Sequence, residues 1–430
     1  MAVEVMMSEF DYFKPEAVQN NVNKWFMREF TPLAALTHGS QIEFAVPGSN
    51  ELTMDLSKSY IIVRAQITKA DDTAPLAAAE VGPVNLTLHS MFSNVDIELG
   101  GKMISDPNGL YPYRAYIETL LSYNKEAQET QLQSEMWYKD TAGKMDAKKC
   151  VAETTNKGLS DRATVFTTGT EVEMLGRLHA DIFHQNRSLP SNLSLKVKLT
   201  PSKDKFVIIC DGGELYKMVI KDARLFIHTF ELTKALALAQ EEAIATANFR
   251  YPIHRVTMKH LTIPANQSSA LHDNIYLGDL PDRLVVGFIA DADMAGAYAT
   301  NPFNFKHHKV NYLALTVNGE MFPSKPYQPD FTTGRYIREY MGLADGMGTL
   351  FSSKPISIPR AEYAQGYTFF VFDLTADHAA SNSASLPKKG SIRLEVKFAA
   401  NTGETVNVLL YGEFRSIIEI DKYRNVIGPV

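Results

Sequence analysis

The feature that most constrains this chain is an internal repeat with a period of about 200 residues. Six segments of the first half recur in the second half in the same order, at offsets of 188 to 224 residues. The paired segments share short apolar or aromatic patterns: 42–47 with 260–264, 55–63 with 279–287, 98–104 with 316–322, 113–118 with 334–339, 195–199 with 394–398, and 225–232 with 413–420. Solenoid repeats have periods of about 20–50 residues, so this longer period indicates two copies of a whole domain.

Each half carries about eight short runs that are typical of β-strands, separated by Gly, Pro, Asn and Asp. Two stretches favour helices, namely residues 113–123 and residues 233–247, where Thr233 is a plausible N-cap. Many strands with few helices predict packed sheets and disfavour a βαβ fold. We therefore expect an all-β chain of two tandem eight-stranded jelly-roll β-sandwiches, a double jelly roll with short helices in its loops.

The repeat also predicts the domain organisation. We expect an N-terminal arm at 1–36, a first jelly roll at 37–232, a linker helix at 233–250 and a second jelly roll at 251–430. The offset between the two halves shrinks by about 30 residues after the first helix. The polar segment 139–170 has the right size to be an additional loop in the first half.

The N-terminal arm has its own aromatic and apolar residues, and some of their spacings, such as Val18 to Val22, predict a helix. One interpretation is a helix that packs on its own domain. The other is an arm that docks on a neighbouring subunit or on a membrane-proximal surface. For the second interpretation, the candidate inter-subunit residues are Trp25, Phe26 and Phe30.

Composition excludes several classes of protein. The net charge is −6, from 43 Lys and Arg against 49 Asp and Glu, which argues against bulk wrapping of nucleic acid, and no specific nucleic-acid site is predicted. Two cysteines, Cys150 and Cys210, exclude a disulfide scaffold and a cysteine-rich zinc site and fit a reducing compartment. No apolar run reaches the ~18 residues of a membrane span, and the acidic start disfavours a signal peptide, so we expect an intracellular protein.

No motif in the sequence predicts catalysis. The phosphate-binding, zinc-protease and nucleophile-elbow patterns are absent. His179 and His184 are five residues apart, which is not a helical metal pair, and the adjacent histidines at 307–308 would point to opposite faces of a strand. The acidic pair that begins at Asp291 lacks the Gly and Glu of a calcium loop. We expect a protein that is not an enzyme, without catalytic, metal or cofactor-binding residues and without a cofactor.

Several longer segments carry a family resemblance. They are 93–123 with its core YRAYIETLL, 135–143, 174–185, 301–306, 323–331 and 419–427. Together they resemble the capsid-type proteins, specifically the major capsid proteins, of Polinton/Maverick elements and of related virophage-like and adintovirus-like DNA viruses. The resemblance covers nearly the whole chain, and its motifs are structural.

The resemblance implies a function and a set of partners. Such proteins are double jelly rolls that form pseudo-hexameric homotrimers and tile an icosahedral shell around a DNA genome. The expected partners are the chain itself, neighbouring capsomers, and penton or minor capsid proteins, whereas an internal membrane is left open. The expected location is the virion capsid, after assembly in the cytoplasm or nucleus of the host cell. The loops after the first helix and around 376–390 would form an outer crown.

Two alternatives stay open at this point. The chain could be another capsid component such as a penton or spike, although those are often single jelly rolls and the repeat argues against them. It could also be a β-sandwich carbohydrate-binding or carbohydrate-active protein. That function needs clustered carboxylates and exposed Trp, and only Trp25 and Trp137 exist.

Overall fold

The computed structural model of the chain describes residues 18–152, 155–353, 355–378 and 386–428. The first 17 residues of the predicted arm lie outside the described residues. The same is true of residues 379–385, which belong to the second predicted crown loop.

Ten strands lie in the first half of the chain. They are β1 (Val22–Phe30), β2 (Ile42–Val46), β3 (Leu52–Lys69), β4 (Val81–Pro83), β5 (Phe92–Leu99), β6 (Lys102–Met103), β7 (Val172–Gly176), β8 (Leu195–Pro201), β9 (Ile208–Cys210) and β10 (Tyr216–Leu232). Nine strands follow in the second half. They are β11 (Phe249–Ile263), β12 (Ser269–Asp279), β13 (Arg283–Ala290), β14 (Val310–Val317), β15 (Glu320–Tyr327), β16 (Phe369–Asp373), β17 (Lys389–Phe398), β18 (Val406–Ile420) and β19 (Val426–Ile427).

The helices lie between the strands. They are α1 (Thr87–Ser90), α2 (Tyr111–Ser122), α3 (Lys125–Gln128), α4 (Lys157–Val165), α5 (Asp204–Val207), α6 (Lys234–Thr246), α7 (Asp291–Ala295), α8 (Ile337–Gly346) and α9 (Arg360–Tyr363). Both helices that the sequence predicts are present, as α2 and α6. Helix α6 begins directly after Thr233 and connects the two halves, but the Thr233 side chain makes no capping hydrogen bond. The division of the chain at residues 233–250 stays a prediction.

The two halves have the same sheet topology. In the first half the sheets have the orders β1-β10-β3-β7 and β2-β8-β5-β6, and a small pair, β4-β9, lies beside them. In the second half the orders are β11-β18-β13-β16 and β12-β17-β14-β15, with β19 added on β18. If the eight main strands of each half are numbered along the chain, both halves give the orders 1-8-3-6 and 2-7-4-5. All these neighbours are antiparallel, as in two jelly-roll sandwiches, which confirms the predicted fold class.

Five of the six repeat matches pair elements that hold the same place in this topology. Two of the five, at 55–63 and 225–232, are one residue out of register. They align Ile61 and Leu225, which face the core of the first sandwich, with Val285 and Glu413, which lie on the outer face of the corresponding sheet in the second sandwich. The sixth match, 42–47, is wrong because it pairs the second strand of one sandwich with the first strand of the other.

The helical N-terminal arm is wrong for residues Val22–Phe30, because they form strand β1. The long strand β10 continues past the core as far as Leu232 and supplies the hydrogen bonds that β1 needs. Strand β1 has no fully buried residue. An edge strand of this kind needs no alternation of apolar and polar residues, so its apolar spacing could be mistaken for that of a helix. The match at 42–47 is wrong for the same reason. If β1 is not counted as a strand, β2 takes its place as the first strand of the repeat.

The polar segment 139–170 is also not a simple outer loop. It contains helix α4, whose N-cap Asn156 accepts a hydrogen bond from the backbone N–H of Leu159. Asp140, Asn156 and Arg162 are buried. The start of this segment contacts the second half, since Asp140 and Asp146 accept hydrogen bonds from Asn301. The place of these loops in an outer crown stays a prediction.

The hydrophobic core is continuous between the halves. The second sandwich has a core of its own between its two sheets, around Phe288, Phe370 and Leu394. The larger cluster combines the core of the first sandwich with the outer face of the second sandwich's sheet β11-β18-β13-β16. That sheet is therefore buried on both faces, and every residue of β13 and β16 is buried.

Candidate subunit-contact surface

The contact between the two sandwiches of one chain shows what an interface in this protein requires. We call the outer face of sheet β11-β18-β13-β16 the closed face. Its residues are each less than a tenth exposed: Val256, Met258, Val285, Val371, Leu409 and Tyr411. They all belong to the cluster that includes the core of the first sandwich. The closed face is thus covered partly by residues of the first half and partly by helix α8 of the second half, whose Gly346 lies against Val371.

The residues of the first half that cover the closed face lie between β6 and β8, which are the fifth and seventh of its eight main strands. Asn108 donates from Nδ2 to the carbonyl oxygen of Met258 at 3.0 Å. Asp181 accepts a hydrogen bond at 3.2 Å from the backbone N–H of Val256. These bonds tie strand β11, which is the edge of its sheet, to the first sandwich, so they satisfy part of an edge that would otherwise be unpaired.

Aromatic rings fill the centre of this contact. Tyr116 on α2 and Phe303 of the second half are stacked, with ring centroids 4.3 Å apart and planes only 1° from parallel. Tyr113 meets Phe303 edge to face at 5.7 Å. Such pairs contribute about 0.5–1.5 kcal/mol each beyond the burial of their area.

A buried ion pair lies beside the rings. Arg162 donates to Asp140 at 2.7 Å, and neither side chain is exposed. Arg162 also donates to the carbonyl oxygens of Pro83 and Tyr138, so its guanidinium group has a partner on each nitrogen. The other carboxylate oxygen of Asp140 accepts from Asn301 of the second sandwich at 3.0 Å. The pair is satisfied only when both sandwiches are in place.

The equivalent surface of the first sandwich has no such cover among the described residues. We call the outer face of sheet β1-β10-β3-β7 the open face. Trp25 is 63% exposed and lies over His228, with ring centroids 5.4 Å apart and planes at 16°. Tyr60 and Phe226 stack next to them at 5.2 Å and are partly exposed. An exposed aromatic surface of this kind is typical of a protein contact site.

The second sandwich carries exposed apolar residues where the first sandwich carries its covering segment. These residues lie between β15 and β17, the fifth and seventh main strands of the second sandwich. Ile337 is 50% exposed, Met341 is 38% exposed and Phe351 is 97% exposed. The corresponding segment of the first half is largely buried against the second half; nine of the twelve residues of α2 are buried. In the described part of the chain, the open face of the first sandwich and these apolar residues of the second sandwich therefore both remain exposed.

The three predicted arm residues separate in the structure. All three lie on β1, but Trp25 faces outward on the open face, whereas Phe26 and Phe30 pair with the core-facing Thr229 and Leu225 of β10. Phe30 packs against the core, and Phe26 is 39% exposed. Their role between subunits stays a prediction. Sequence reasoning missed the rest of the open face, although recognition of β1 as the first strand of the repeat would have revealed it.

A polar cluster lies at the edge of the closed face. Arg114 on α2 donates to Glu118 at 2.9 Å and to Asp181 at 2.6 Å. Glu118 also accepts from His179 Nδ1 at 2.5 Å and lies 3.4 Å from the hydroxyl of Tyr411. Burial alone would raise the pKa of Glu118, but the charge of Arg114 and the bond from His179 outweigh it, so the pKa is well below its usual range.

Other residues that the sequence analysis considered have structural partners. His307 stacks on Phe331 with ring centroids 4.2 Å apart. Burial, together with the positive charge of Lys306, lowers the pKa of His308 to about 4. Asp291 accepts a hydrogen bond from Asn407 at 2.8 Å. Trp137 is buried, so Trp25 is the tryptophan that a sugar could reach.

No helix within the described ranges is both long and apolar enough to cross a membrane.

No family model matches the chain. A curated relative, the uncharacterized protein F54H12.2 of Caenorhabditis elegans, is 23% identical over 399 residues, which covers 90% of this chain and 92% of the relative.

Solved structures of viral major capsid proteins are similar over the full length. A chain of the Sputnik virophage matches with a TM-score of 0.66 and 11% identity, covering 100% of this chain and 93% of its own. The mavirus major capsid protein matches with a TM-score of 0.53 and 12% identity, covering 100% and 96%. At these identities the likeness shows the fold, which is the double jelly roll that these capsid proteins share.

Proposed function

We propose that this chain is a viral major capsid protein that assembles head to tail into homotrimers of six jelly rolls. The observation that carries the proposal is a contrast among the described residues: the closed face is buried within the chain, whereas the open face leaves Trp25 63% exposed. The likeness to capsid proteins of the same fold supports it. A structural role of this kind needs no catalytic group and no cofactor.

The assembly follows from repetition of the contact that already exists. Within one chain, the segment between the fifth and seventh strands of the first sandwich covers the closed face of the second. Between chains, the exposed residues Ile337, Met341 and Phe351 of one copy would contact the open face of the next. Such a contact joins two different surfaces, so it forms a closed ring or an open filament. Three chains give six sandwiches, which close a ring with a pseudo-hexagonal outline.

The trimers would then tile an icosahedral shell around DNA, with neighbouring capsomers and with penton or minor capsid proteins as partners. The virion would be assembled in the cytoplasm or nucleus of the host cell. The net charge of −6 indicates that other proteins or ions contact the genome. We place the chain with the Polinton/Maverick and adintovirus-like elements because of the motifs at 93–123 and 174–185. A relative in an animal supports this placement.

Light scattering coupled to gel filtration tests the proposal. The expected result is a particle of about three times 47.9 kDa, with six lobes around one axis in negative-stain microscopy. Trp25→Asp should abolish the trimer and leave a folded monomer. Leu277→Asp is the matched control, because Leu277 is 76% exposed but lies on β12 in the other sheet of the second sandwich. A wild-type chain that stays monomeric at micromolar concentration would refute the assembly.

A further inference from the structure

The described residues contain two groups of histidine and glutamate that share His179. One is His89, Glu135 and His179, all buried; the other is Glu118, His179 and His184. Within each group the ligand atoms lie within 4.8 Å of one another. In the second group Glu118 already accepts from both Arg114 and His179, so it has partners without a metal. The first group is different.

The first group has two buried polar atoms without a hydrogen-bond partner. They are Nε2 of His89 and Oε2 of Glu135. The two atoms are 3.5 Å apart, too far for a well-formed hydrogen bond. Two ligands of one tetrahedral zinc ion, each about 2.0–2.2 Å from the metal, are separated by about 3.4 Å. The distance therefore fits a shared metal better than a direct bond.

The other nitrogen of each histidine is already occupied. The Nδ1 atom of His89 bonds to the hydroxyl of Tyr111 at 2.8 Å, and Nδ1 of His179 bonds to Glu118 at 2.5 Å. In zinc sites, the ligating histidine usually has its other nitrogen held by a carboxylate or another polar group, which fixes the ring orientation. This arrangement leaves Nε2 of His89 without a hydrogen-bond partner, and Nε2 is the nitrogen of His179 that does not contact Glu118.

Charge and space also favour a cation. The cluster contains three carboxylates, those of Glu118, Glu135 and Asp181, against two guanidinium groups: Arg114, which bonds to Glu118 and Asp181, and Arg177, which bonds to His184. It therefore has an excess negative charge. A cavity of about 30 Å³ borders Tyr111 and His179. The cavity has room for one water beside His179.

We propose that His89, Glu135 and His179 bind one zinc ion that acts as a structural brace in the first sandwich. The three residues come from α1, from the 3₁₀ turn Gln131–Glu135 and from the loop after β7. A zinc ion would therefore hold together three segments that lie far apart in the chain. Sequence spacing could not reveal the site, because no two of the ligands are near neighbours in the chain. The site would form whether or not the chain is a capsid protein.

The test uses untagged full-length protein, freed of metal by a chelator and titrated with Zn²⁺ against a competing indicator. We expect about one ion per chain, a higher melting temperature, and with Co²⁺ the visible bands of a four-coordinate ion. His89→Gln and Glu135→Gln should each weaken Zn²⁺ binding at least about 100-fold. His254→Gln, at an exposed position of β11, is the matched control and should change the affinity less than about twofold.

A further variant preserves the test if a ligand variant does not fold, as judged by circular dichroism and gel filtration. Tyr111→Phe keeps the ring and removes the hydroxyl that contacts His89 Nδ1 and accepts from the backbone N–H of His179, and it should weaken Zn²⁺ binding by about 10–100-fold. Wild-type protein that binds no Zn²⁺ in large molar excess would overturn the proposal and indicate a histidine–carboxylate network without metal. Equal binding by the wild type, the ligand variants and Tyr111→Phe would overturn it too.

Discussion

The first strands of the two sandwiches, β1 and β11, hold the same place in the same topology but differ in burial. None of the nine residues of β1 is fully buried, whereas five of the fifteen residues of β11 are. Strand β11 is covered by the first sandwich, which donates to and accepts from its backbone. Strand β1 is the edge of its sheet, and within the described ranges its outward Trp25 stays 63% exposed. The duplicated domain therefore buries this surface in one copy and leaves its counterpart exposed among the described residues in the other.

The largest effect should come from the ion pair that seals the contact between the sandwiches. Arg162→Leu leaves Asp140 charged, buried and without its cation. We expect the free energy of unfolding to fall by about 3–5 kcal/mol, measured by urea denaturation. Lys157→Leu on the same helix is the control, because its ion pair with Asp161 is exposed and contributes only about 0–1 kcal/mol. If Arg162→Leu lowered the free energy of unfolding no more than Lys157→Leu does, the buried ion pair would add little to the stability of the fold.

The next comparison sets the two faces against each other through one residue of each. Met258→Ala on the closed face should lower the free energy of unfolding by about 2–5 kcal/mol, because it leaves a cavity between the sandwiches. Trp25→Ala on the open face should cost less than about 1 kcal/mol in dilute, monomeric protein. The same Trp25→Ala variant should weaken trimer formation by about 2–4 kcal/mol, measured by sedimentation at several concentrations.

The two faces would not differ as argued if Trp25→Ala destabilised the monomer as much as Met258→Ala does. A trimer unchanged by Trp25→Ala would show that association uses another surface.

A smaller effect separates the aromatic residues of β1 from one another. Phe30→Ala should lower the free energy of unfolding of the monomer by about 1–2 kcal/mol, because its ring packs against the core. Phe26→Ala should cost less, since Phe26 is more exposed. Urea denaturation of both variants at low concentration gives the comparison. If Phe30→Ala weakened only the trimer, Phe30 would belong with Trp25 as an association residue.

Sequence reasoning found the fold because the signal was repeated. Five matched segments pair equivalent elements, and an error in one copy can be corrected by the other. The register was less certain: the match that sets Leu225 against Glu413 is shifted by one residue. The sheet β11-β18-β13-β16 is apolar on its outer face, which is the closed face, and also on the face that lines the core of the second sandwich. Alternation therefore does not distinguish the two faces of this sheet.

The elements that were missed depend on contacts distant in sequence. Strand β1 forms its hydrogen bonds with the extension of β10. Helix α4 lies in a polar segment, and its Arg162 can be buried because it forms an ion pair with Asp140. The candidate zinc ligands His89 and Glu135 attracted no attention in the sequence, since neither has a ligand at motif spacing. Tertiary contacts of this kind cannot be deduced from local patterns in a single sequence.

The smallest effect concerns pH and distinguishes the two faces by their chemistry. The open face carries His228 under Trp25, whereas none of the six residues that define the closed face is a histidine. Burial lowers the pKa of His228, the charge of Asp55 partly opposes this, and Lys58 lowers the pKa further. The unfolded chain therefore binds a proton below about pH 6.5 that the folded chain resists, so stability rises with pH through this window and falls on acidification.

A neighbouring subunit on the open face would bury His228 further and lower its pKa more. Acid should therefore weaken the trimer more than it weakens the monomer, measured by sedimentation and by urea denaturation at matched pH values. His228→Phe keeps a ring under Trp25 and removes the proton site, so its trimer should be less sensitive to pH than the wild type. If both proteins dissociated in parallel on acidification, His228 would not lie in the interface, and the open face would not be the surface that the next copy covers.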